Sequence, residues 1–274
     1  MRKLLVIALA LGAAFAGQGS AEESLRALRS RGDLIGWEAV GRVDLQGQGF
    51  CTGALIATDL VLTAAHCVYE RETGQLIAPE KIVFRAAYVA GDELAKRSVD
   101  RVVADPKFRP SQDGMIRTDM MPHDVALLRL SSPIHTSEAD PFAIYSEPQP
   151  GDKVSVLSYG RGRAEHLSWQ RDCNLLERGR GLMSFDCNVT FGSSGAPVFA
   201  RYGNRVRILS LVSAMSEDDS GQRIALGMEL PGIVAALKQQ MRNGASPVRE
   251  PSGAKRIAVG GKRTTSGAKF IRVD

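Results

Sequence analysis

The sequence predicts an all-β protein of antiparallel strands, arranged as barrels or as sandwiches. Short apolar and β-branched runs recur between Gly, Pro and Asp residues, among them LVLTAAH, DVALLRL and RVRILSLVSA. Many short strands at this spacing favour antiparallel sheets over βαβ units. With 274 residues, 44% of them hydrophobic and 24% charged, the chain can form one large core or two smaller ones. Disorder throughout is excluded.

The first 21 residues are predicted to be a cleaved secretory signal. Arg2 and Lys3 precede an apolar run from Leu4 to about Phe15, and small residues follow it. A membrane anchor is the alternative, but the run is shorter than the ~20 apolar residues that a span needs. No later segment approaches that length. We therefore expect an exported mature protein, periplasmic or extracellular, without a membrane span.

The C-terminal part of the chain is predicted to contain one helix and a basic tail. In LPGIVAALKQQMRNG the apolar residues repeat at helical spacing over 232–243, on a face formed by Ile233, Val234, Leu237 and Met241. Residues 244–274 are rich in Gly, Ser, Pro, Lys and Arg, so we expect them to be disordered. Seven basic residues against two acidic ones give this tail a net charge of +5. It is either a solvated appendage or a segment that binds anionic cell-envelope polymers or acidic lipid; no specific nucleic-acid partner is expected.

Four cysteines fall in two local groups, Cys51 with Cys67 and Cys173 with Cys187. Zinc binding is the competing interpretation, but the chain has no Cys-x-x-Cys and no closely spaced pair of histidines. Two disulfides are therefore favoured, and no metal site is predicted. Each pair would close a local hairpin, one beside His66 and one just before the stretch FGSSGAP.

The stretch FGSSGAP places two adjacent serines, Ser193 and Ser194, between glycines, and either a flexible loop or a nucleophile would explain it. A catalytic serine needs an imidazole as base and a carboxylate that orients the imidazole. His66 follows an alternating apolar strand and lies beside Cys67, which gives it a reason to be held in place. Asp124 precedes the apolar run VALLRL, which would draw its carboxylate inside, where it needs hydrogen-bond donors.

Three stretches, CTGALIATDLVLTAAHC, HDVALLRL and GSSGAP, resemble the signature blocks of the chymotrypsin-like (trypsin-like) serine proteases, in that family's order of His, Asp and Ser. The likeness covers 37–243 and is nearer to bacterial secreted members related to glutamyl endopeptidases. It implies two six-stranded antiparallel β-barrels, about 37–135 and 150–231, with the active site between them and a C-terminal helix. Residues 22–36 precede this domain as a segment that processing could remove.

The resemblance also implies a role for each catalytic residue. Ser194 would attack the peptide carbonyl, His66 would transfer the proton, and Asp124 would orient the imidazole. The backbone N–H groups of Gly192 and Ser194 would bind the oxyanion of the acyl-transfer intermediate. This chemistry hydrolyses protein or peptide substrates and requires no metal or organic cofactor.

Two departures from the family pattern bear on activation and specificity. Where zymogens of the family carry the Asp of the activation salt bridge, this chain has Ser193, so the oxyanion loop should be organised without that bridge. Substrate preference should follow from the predicted pocket, which lacks a charge that would pair with a substrate side chain. Uncharged P1 residues of small to medium size are therefore expected. The predicted pocket residues are Asn188, Val189, Val212, Ser213, Ala214 and Met215.

A function from another class is a catalytically silent protease homologue that binds anionic surfaces through its basic tail. The presence of all three triad residues argues against it, because a binding module has no chemical need for them.

Overall fold

A computed structural model describes residues 25–111, 115–147, 149–217, 221 and 223–243. The predicted signal over 1–21 and the predicted basic tail over 244–274 lie outside the described residues. Within the described ranges the chain forms fourteen β-strands, one α-helix and four short 3₁₀ turns, so the predicted all-β class with one C-terminal helix is confirmed.

The secondary-structure elements follow one another in a regular order along the chain. They are β1 Leu25–Leu28, β2 Val40–Leu45, β3 Gly49–Ala57, β4 Leu60–Thr63, β5 Ile82–Ala86, β6 Ala95–Ala104, β7 Ala126–Leu130, β8 Lys153–Gly160, β9 Arg163–Gly179, β10 Leu182–Phe185, β11 Pro197–Tyr202, β12 Arg205–Leu211, β13 Ala214–Glu217, β14 Arg223–Met228 and α1 Pro231–Asn243.

The first half of the chain forms a closed six-stranded antiparallel barrel in the order β2-β3-β4-β7-β6-β5. Pairing of β2 with β5, from Gly41 opposite Ala86 to Leu45 opposite Ile82, closes it. Apolar side chains from successive strands fill its interior, because alternate residues of a strand point to the same face. This core includes Val43, Leu55, Val61, Phe84 and Leu128.

The second half forms an eight-stranded antiparallel sheet, where the sequence led us to expect a six-stranded barrel. Its strands follow the order β12-β11-β8-β9-β10-β14-β13, and β1 pairs with β9 outside this path. The difference arises from β9, whose 17 residues are long enough to pair with β8, β10 and β1 along their length. β13 lies at one end of the order, so one of its edges pairs with no described strand.

The N-terminal segment belongs structurally to this second sheet. β1 pairs with β9 from Leu25 opposite Gln170 to Leu28 opposite Leu167. Leu28 and Leu34 are completely or almost completely buried in a core shared by both halves of the chain. The described part of the 22–36 segment is therefore an integral element of the fold, because its removal would leave one stretch of β9 unpaired and would expose part of the core.

Helix α1 returns the chain from the second sheet to the first barrel. It begins at Pro231, one residue earlier than predicted, since proline is well tolerated in the first turn of a helix. Val234, Leu237 and Met241 are buried, and Ile233 packs at the edge of the same core. Arg101 on β6 donates to the carbonyl of Gln240 at 3.3 Å. Among the described helices, none has the length and apolar character that crossing a membrane would require.

Candidate active site

His66 lies in a short 3₁₀ turn, Ala65–Val68, that follows β4 directly. The disulfide between Cys51 on β3 and Cys67 joins this turn to the neighbouring strand, with the two Cα atoms 6.3 Å apart. Both cysteine sulfurs beside His66 are bonded to each other, so neither offers a thiolate to a metal ion. The backbone next to the imidazole is thus held by β4 on one side and by the disulfide on the other.

Asp124 is completely buried and accepts three hydrogen bonds. The His66 backbone N–H donates to Oδ1 at 2.8 Å, and His66 Nδ1 lies 2.7 Å from Oδ2. The Ser213 hydroxyl donates to Oδ2 at 2.5 Å. An ionised carboxylate can only accept hydrogen bonds, so this contact selects the imidazole tautomer that carries its proton on Nδ1 and a lone pair on Nε2.

The two serines of FGSSGAP differ sharply in their surroundings. Ser193 is completely buried, whereas Ser194 is partly exposed and lines the same cavity as His66. The Ser194 hydroxyl makes no hydrogen bond to any described residue, His66 included. Contacts between base and nucleophile are often long in unliganded enzymes of this chemistry and shorten when substrate binds. Of the two hydroxyls, only that of Ser194 is available to a substrate.

The loop around Ser194 is held against the first barrel by Thr52 on β3. The Thr52 backbone N–H donates to the Ser194 carbonyl at 2.9 Å, and its hydroxyl donates to the Gly192 carbonyl at 3.0 Å. Gly195 has φ +73°, and an added Cβ would lie 2.3 Å from the Thr63 hydroxyl oxygen. Only glycine fits at that position, because both the backbone angle and the space exclude a side chain.

Among the described residues, no hydrogen-bond acceptor is present for the backbone N–H groups of Phe191, Gly192 and Ser194. The N–H groups of Ser193 and Gly195 are occupied, since Ser193 donates to Thr190 at 2.9 Å and Gly195 donates to Val212 at 2.8 Å. Gly192 has φ +92°, and an added Cβ would lie 2.6 Å from the Phe50 ring. Paired free donors at a tight turn can bind an oxygen that carries negative charge.

Arg163 is the cation behind this loop. It donates to the Ser158 carbonyl at 2.6 Å, to the Ser158 hydroxyl at 3.0 Å and to the Ser193 hydroxyl at 3.2 Å. The Ser193 and Ser158 hydroxyls are themselves 3.1 Å apart. Burial without a carboxylate partner lowers the pKa of Arg163 to about 10, so its guanidinium is still charged at neutral pH. The loop that carries Ser193 and Ser194 is thus tied through Ser193 to an arginine and a serine.

The cavity in front of His66 and Ser194 has a volume of about 320 Å³. One wall comes from the β2–β3 turn and from Phe50, another from the segment after His66, and a third from Arg161 and Phe191. The side chains that face it include those of His66, Tyr69, Arg71, Arg161, Phe191 and Ser194.

The predicted substrate pocket residues do not line this cavity, and their surroundings differ from one another. Val189 and Val212 are buried in the core of the second sheet, while Met215 is 41% exposed. Ala214 and Met215 lie on the end strand β13. The Asn188 side-chain oxygen accepts a hydrogen bond from Arg223 at 3.3 Å, which places a cation beside the predicted pocket.

The sequence predicts that Ser213 lies in the pocket wall, but in the structure its hydroxyl donates to Asp124.

The disulfide between Cys173 on β9 and Cys187 joins the second sheet to the segment that leads into the Ser194 loop, with Cα atoms 5.3 Å apart. The structure therefore contains the two cysteine pairs that were favoured from the sequence.

The sequence does not predict the contacts that four residues make at the site: Thr52, Ser158, Arg163 and, through its hydroxyl, Ser213. Ser213 follows the strand-like run RILSLV, and a serine at the end of an apolar run signals a buried hydroxyl that needs a partner. Arg163 gave no such signal, because it belongs to the polar stretch RGRAEH and reads as an exposed turn residue.

The comparison with protein families identifies residues 51–206 as a trypsin-like peptidase domain. Human serine protease 56 is 30% identical over 147 residues, which cover 48% of this chain and 22% of that protein. The collagenase of Hypoderma lineatum is 27% identical over 192 residues, which cover 64% of this chain and 67% of that protein. The chain thus spans only about a fifth of the length of the first of these relatives.

A solved Glu endopeptidase structure superposes with a TM-score of 0.60 at 17% identity, over 76% of this chain and 91% of that one. At this identity the likeness concerns the fold, which is that of the chymotrypsin-like serine proteases. The family match covers more than half of the chain and includes both the His66 turn and the Ser194 loop. The chain therefore belongs to the family of proteins with a trypsin-like peptidase domain.

Proposed function

We propose that this protein is a serine endopeptidase that hydrolyses peptide bonds in protein substrates through an acyl-enzyme. The observation that supports it most directly is the contact of buried Asp124 with His66 Nδ1, which leaves Nε2 without a proton beside the cavity that Ser194 lines, 3.8 Å from the disulfide sulfur of Cys67. Membership of the trypsin-like peptidase domain family points to the same chemistry.

In this mechanism the Ser194 hydroxyl oxygen attacks the carbonyl carbon of the scissile bond while His66 Nε2 takes its proton. Asp124 stays ionised and stabilises the imidazolium that forms. The negative charge on the former carbonyl oxygen is stabilised by the N–H groups of Gly192 and Ser194. One such donor contributes about 2.7 to 4 kcal/mol to the transition state in comparable enzymes.

The remaining steps release the amine, hydrolyse the ester and return a proton to Ser194. The His66 imidazolium gives its proton to the leaving amine, and the C–N bond breaks to leave an ester on Ser194. A water molecule, activated by the now neutral His66, then attacks this ester through a second oxyanion. Hydrolysis releases the carboxylic acid product and returns the Ser194 proton, so no cofactor takes part in the cycle.

The acyl half of the substrate is proposed to bind along β13 as an added antiparallel strand. One edge of β13 pairs with no described strand. Strand addition there would supply main-chain hydrogen bonds whatever the amino-acid sequence of the substrate. We propose uncharged P1 residues of small to medium size, because Val189 and Val212 offer no charge and Met215 narrows the space. A cleavage profile dominated by Glu or Asp at P1 would contradict this and would identify Arg223, beside Asn188, as the source of the selectivity.

The proposed catalytic domain comprises 37–243, with β1 as an attached strand that belongs to the second sheet. We also propose that the protein is exported, because two disulfides are stable in an oxidising compartment and residues 1–21 read as a signal. N-terminal sequencing of the secreted protein tests both proposals. A mature N-terminus after Leu28 would contradict the attachment of β1.

The competing function is a catalytically silent homologue that binds anionic surfaces through its basic tail. A fluorophosphonate probe separates the two, because it reacts only with a serine that a base activates. We expect Ser194 to be labelled in the wild type and labelling to be lost in Ser194→Ala. Ser193→Ala is the matched control, and we expect it to be labelled and to keep about a third or more of wild-type kcat. A folded wild type that stays unlabelled would favour the silent homologue.

A further inference from the structure

The cavity beside Ser194 is lined by positively charged side chains and by no negatively charged one. Its charged side chains are those of Arg71 and Arg161, and none of the residues that line it is Asp or Glu. Three aromatic rings also line the cavity, those of Phe50, Tyr69 and Phe191. Such a surface suits a ligand that has a carboxylate and an apolar or peptide body.

The position of the cavity indicates which half of a substrate would occupy it. The free edge of β13 can bind only one half of an extended peptide, and no β13 residue lines the cavity. The cavity instead lies between the β2–β3 turn, the segment after His66 and Arg161. With the acyl half on β13, the residues that follow the scissile bond would therefore enter the cavity.

Both arginines are exposed, and neither is paired with an acidic side chain among the described residues. Arg161 lies in the turn between β8 and β9, where its guanidinium stacks over the Phe191 ring at 4.3 Å. Arg71 uses its backbone N–H to bind the Gln48 side chain, at 3.1 Å. Nearby arginines behave differently, since Arg42 is 2.6 Å from the Asp44 carboxylate. The charges of Arg71 and Arg161 thus remain available to a ligand.

Phe191 fixes the position of one of these charges. It is 57% exposed, its carbonyl accepts the Arg161 backbone N–H at 2.7 Å, and it immediately precedes Gly192. The stacked ring and the backbone bond both restrict Arg161 to the rim of the site. A cation held there is pre-organised, so less side-chain entropy is lost when it binds a carboxylate.

We propose that this cavity binds the residues after the scissile bond and selects substrates with Asp or Glu at the first or second of these positions, P1′ or P2′. The inference rests on the proposed peptidase function, whose reacting groups it shares. An extended peptide advances about 3.3 Å per residue, so both positions lie within reach of arginines at the cavity rim. Exposed charge pairs of this kind contribute modestly, and together we expect about a fivefold preference in kcat/KM.

The test uses pairs of internally quenched peptides that share all residues up to P1, with P1 taken from the cleavage profile of the enzyme. Within each pair, Asp replaces Asn or Glu replaces Gln at P1′ or at P2′. We expect kcat/KM to be about fivefold higher for the acidic member in wild type, with a ratio near one in Arg71→Gln/Arg161→Gln. The ratio should also decrease when the salt concentration rises from about 0.05 M to about 0.5 M, because screening weakens exposed charge pairs.

Two controls separate this inference from the proposed function. Arg205→Gln removes an exposed arginine that does not line the cavity, and it should leave the acidic preference unchanged. An acyl anilide substrate, which has no residue after the scissile bond, should be hydrolysed equally by wild type and by the double variant.

A ratio near one in the wild type, or an equal ratio in wild type and the double variant, would overturn the inference while anilide hydrolysis still supports the peptidase. Absence of hydrolysis of every substrate by folded wild type would instead overturn the proposed function itself. A loss of anilide hydrolysis in the double variant would show that the arginines act on the reacting groups rather than on the leaving half of the substrate.

Discussion

Replacing Arg163 with Met is expected to impair catalysis much more than it impairs stability. Arg163 makes three hydrogen bonds, two to Ser158 and one to the Ser193 hydroxyl. Ser193 lies between Gly192 and Ser194, whose N–H groups have no acceptor among the described residues. The substitution retains an unbranched apolar side chain but removes the cation. The loop that presents the N–H groups of Gly192 and Ser194 then loses one of its fixed contacts.

The magnitude follows from the bond that reaches the loop. A hydrogen bond from a charged donor contributes about 1.5 to 3 kcal/mol, and a loss of about 1.4 kcal/mol from the transition state corresponds to a tenfold lower rate. We therefore expect kcat to fall about tenfold, more than in Ser193→Ala, because Arg163→Met leaves the Ser193 and Ser158 hydroxyls in place without their charged donor. KM should be unchanged, because the loop is proposed to stabilise charge that develops only in the transition state. Global stability should change less, because the cost of burying an unpaired cation is also removed.

The assay compares kcat and KM on one peptide substrate with the free energy of unfolding in urea, for wild type, Arg163→Met and Arg163→Lys. Lys keeps the charge but cannot reach all three acceptors, so its kcat should lie between the other two. Arg101→Met is the matched control, because Arg101 is another partly buried arginine that donates to a carbonyl, that of Gln240. We expect this control to alter stability and leave kcat unchanged.

A double-mutant cycle with Ser193→Ala provides the decisive result. If Arg163 acts through Ser193, adding Arg163→Met to Ser193→Ala should lower kcat by clearly less than tenfold, because the shared contact is already gone. Fully additive losses in kcat would refute this route. So would a loss in Arg163→Met that appears as a raised KM, or one that follows the loss of global stability in the same proportion.

Three further predictions concern other contacts. Ser213→Ala removes the 2.5 Å hydrogen bond to Asp124, and we expect peptide hydrolysis assays to give a kcat about tenfold lower. Gly195→Ala sets a Cβ 2.3 Å from a buried hydroxyl oxygen at φ +73°, and urea titration should show a loss of at least ~3 kcal/mol. The Tyr88 hydroxyl and neighbouring arginines lower the pKa of Glu165 below its ordinary value, so its charge stabilises the fold at neutral pH. Glu165→Gln should therefore be less stable than wild type at pH 7, and the difference measured in urea should shrink as the pH falls through this lowered pKa.

The arrangement of His66 and Asp124 could be anticipated because each belongs to a motif whose local structure constrains it. The continuous apolar run over 60–62 makes β4 a buried strand that ends just before the small pair Ala64 and Ala65, which positions His66 just beyond the strand's end. Asp124 precedes β7, and β7 pairs directly with β4, from Leu60 opposite Arg129 to Thr63 opposite Ala126. Adjacent strands bring their ends together, so the motif order and the fold class together predict the contact.

The contacts of Arg163 and of β1 could not be anticipated in the same way, because the sequence around each is polar. Arg163 is partly buried only because β8 and β9 form a hairpin that turns at Arg161 and Gly162 and brings its guanidinium beneath the Ser193 loop. β1 carries Arg26 between two apolar residues, and this pattern indicates an exposed or processed segment. Its position depends on the length of β9, which only the assembled sheet reveals.

The proposed catalytic groups come from both halves of the fold, so their assembly depends on the contact between the halves. His66 and Asp124 belong to the first barrel, whereas Ser194 and the Asp124-bound hydroxyl of Ser213 belong to the second sheet. Thr52 joins the two: it donates twice to the Ser194 loop and accepts the Tyr159 backbone N–H at 3.0 Å through its hydroxyl. Because these bonds and the Ser213 bond all cross the same interface, a small separation of the halves would break them together. Activity should therefore report on the docking of the two halves more sensitively than on the integrity of either core.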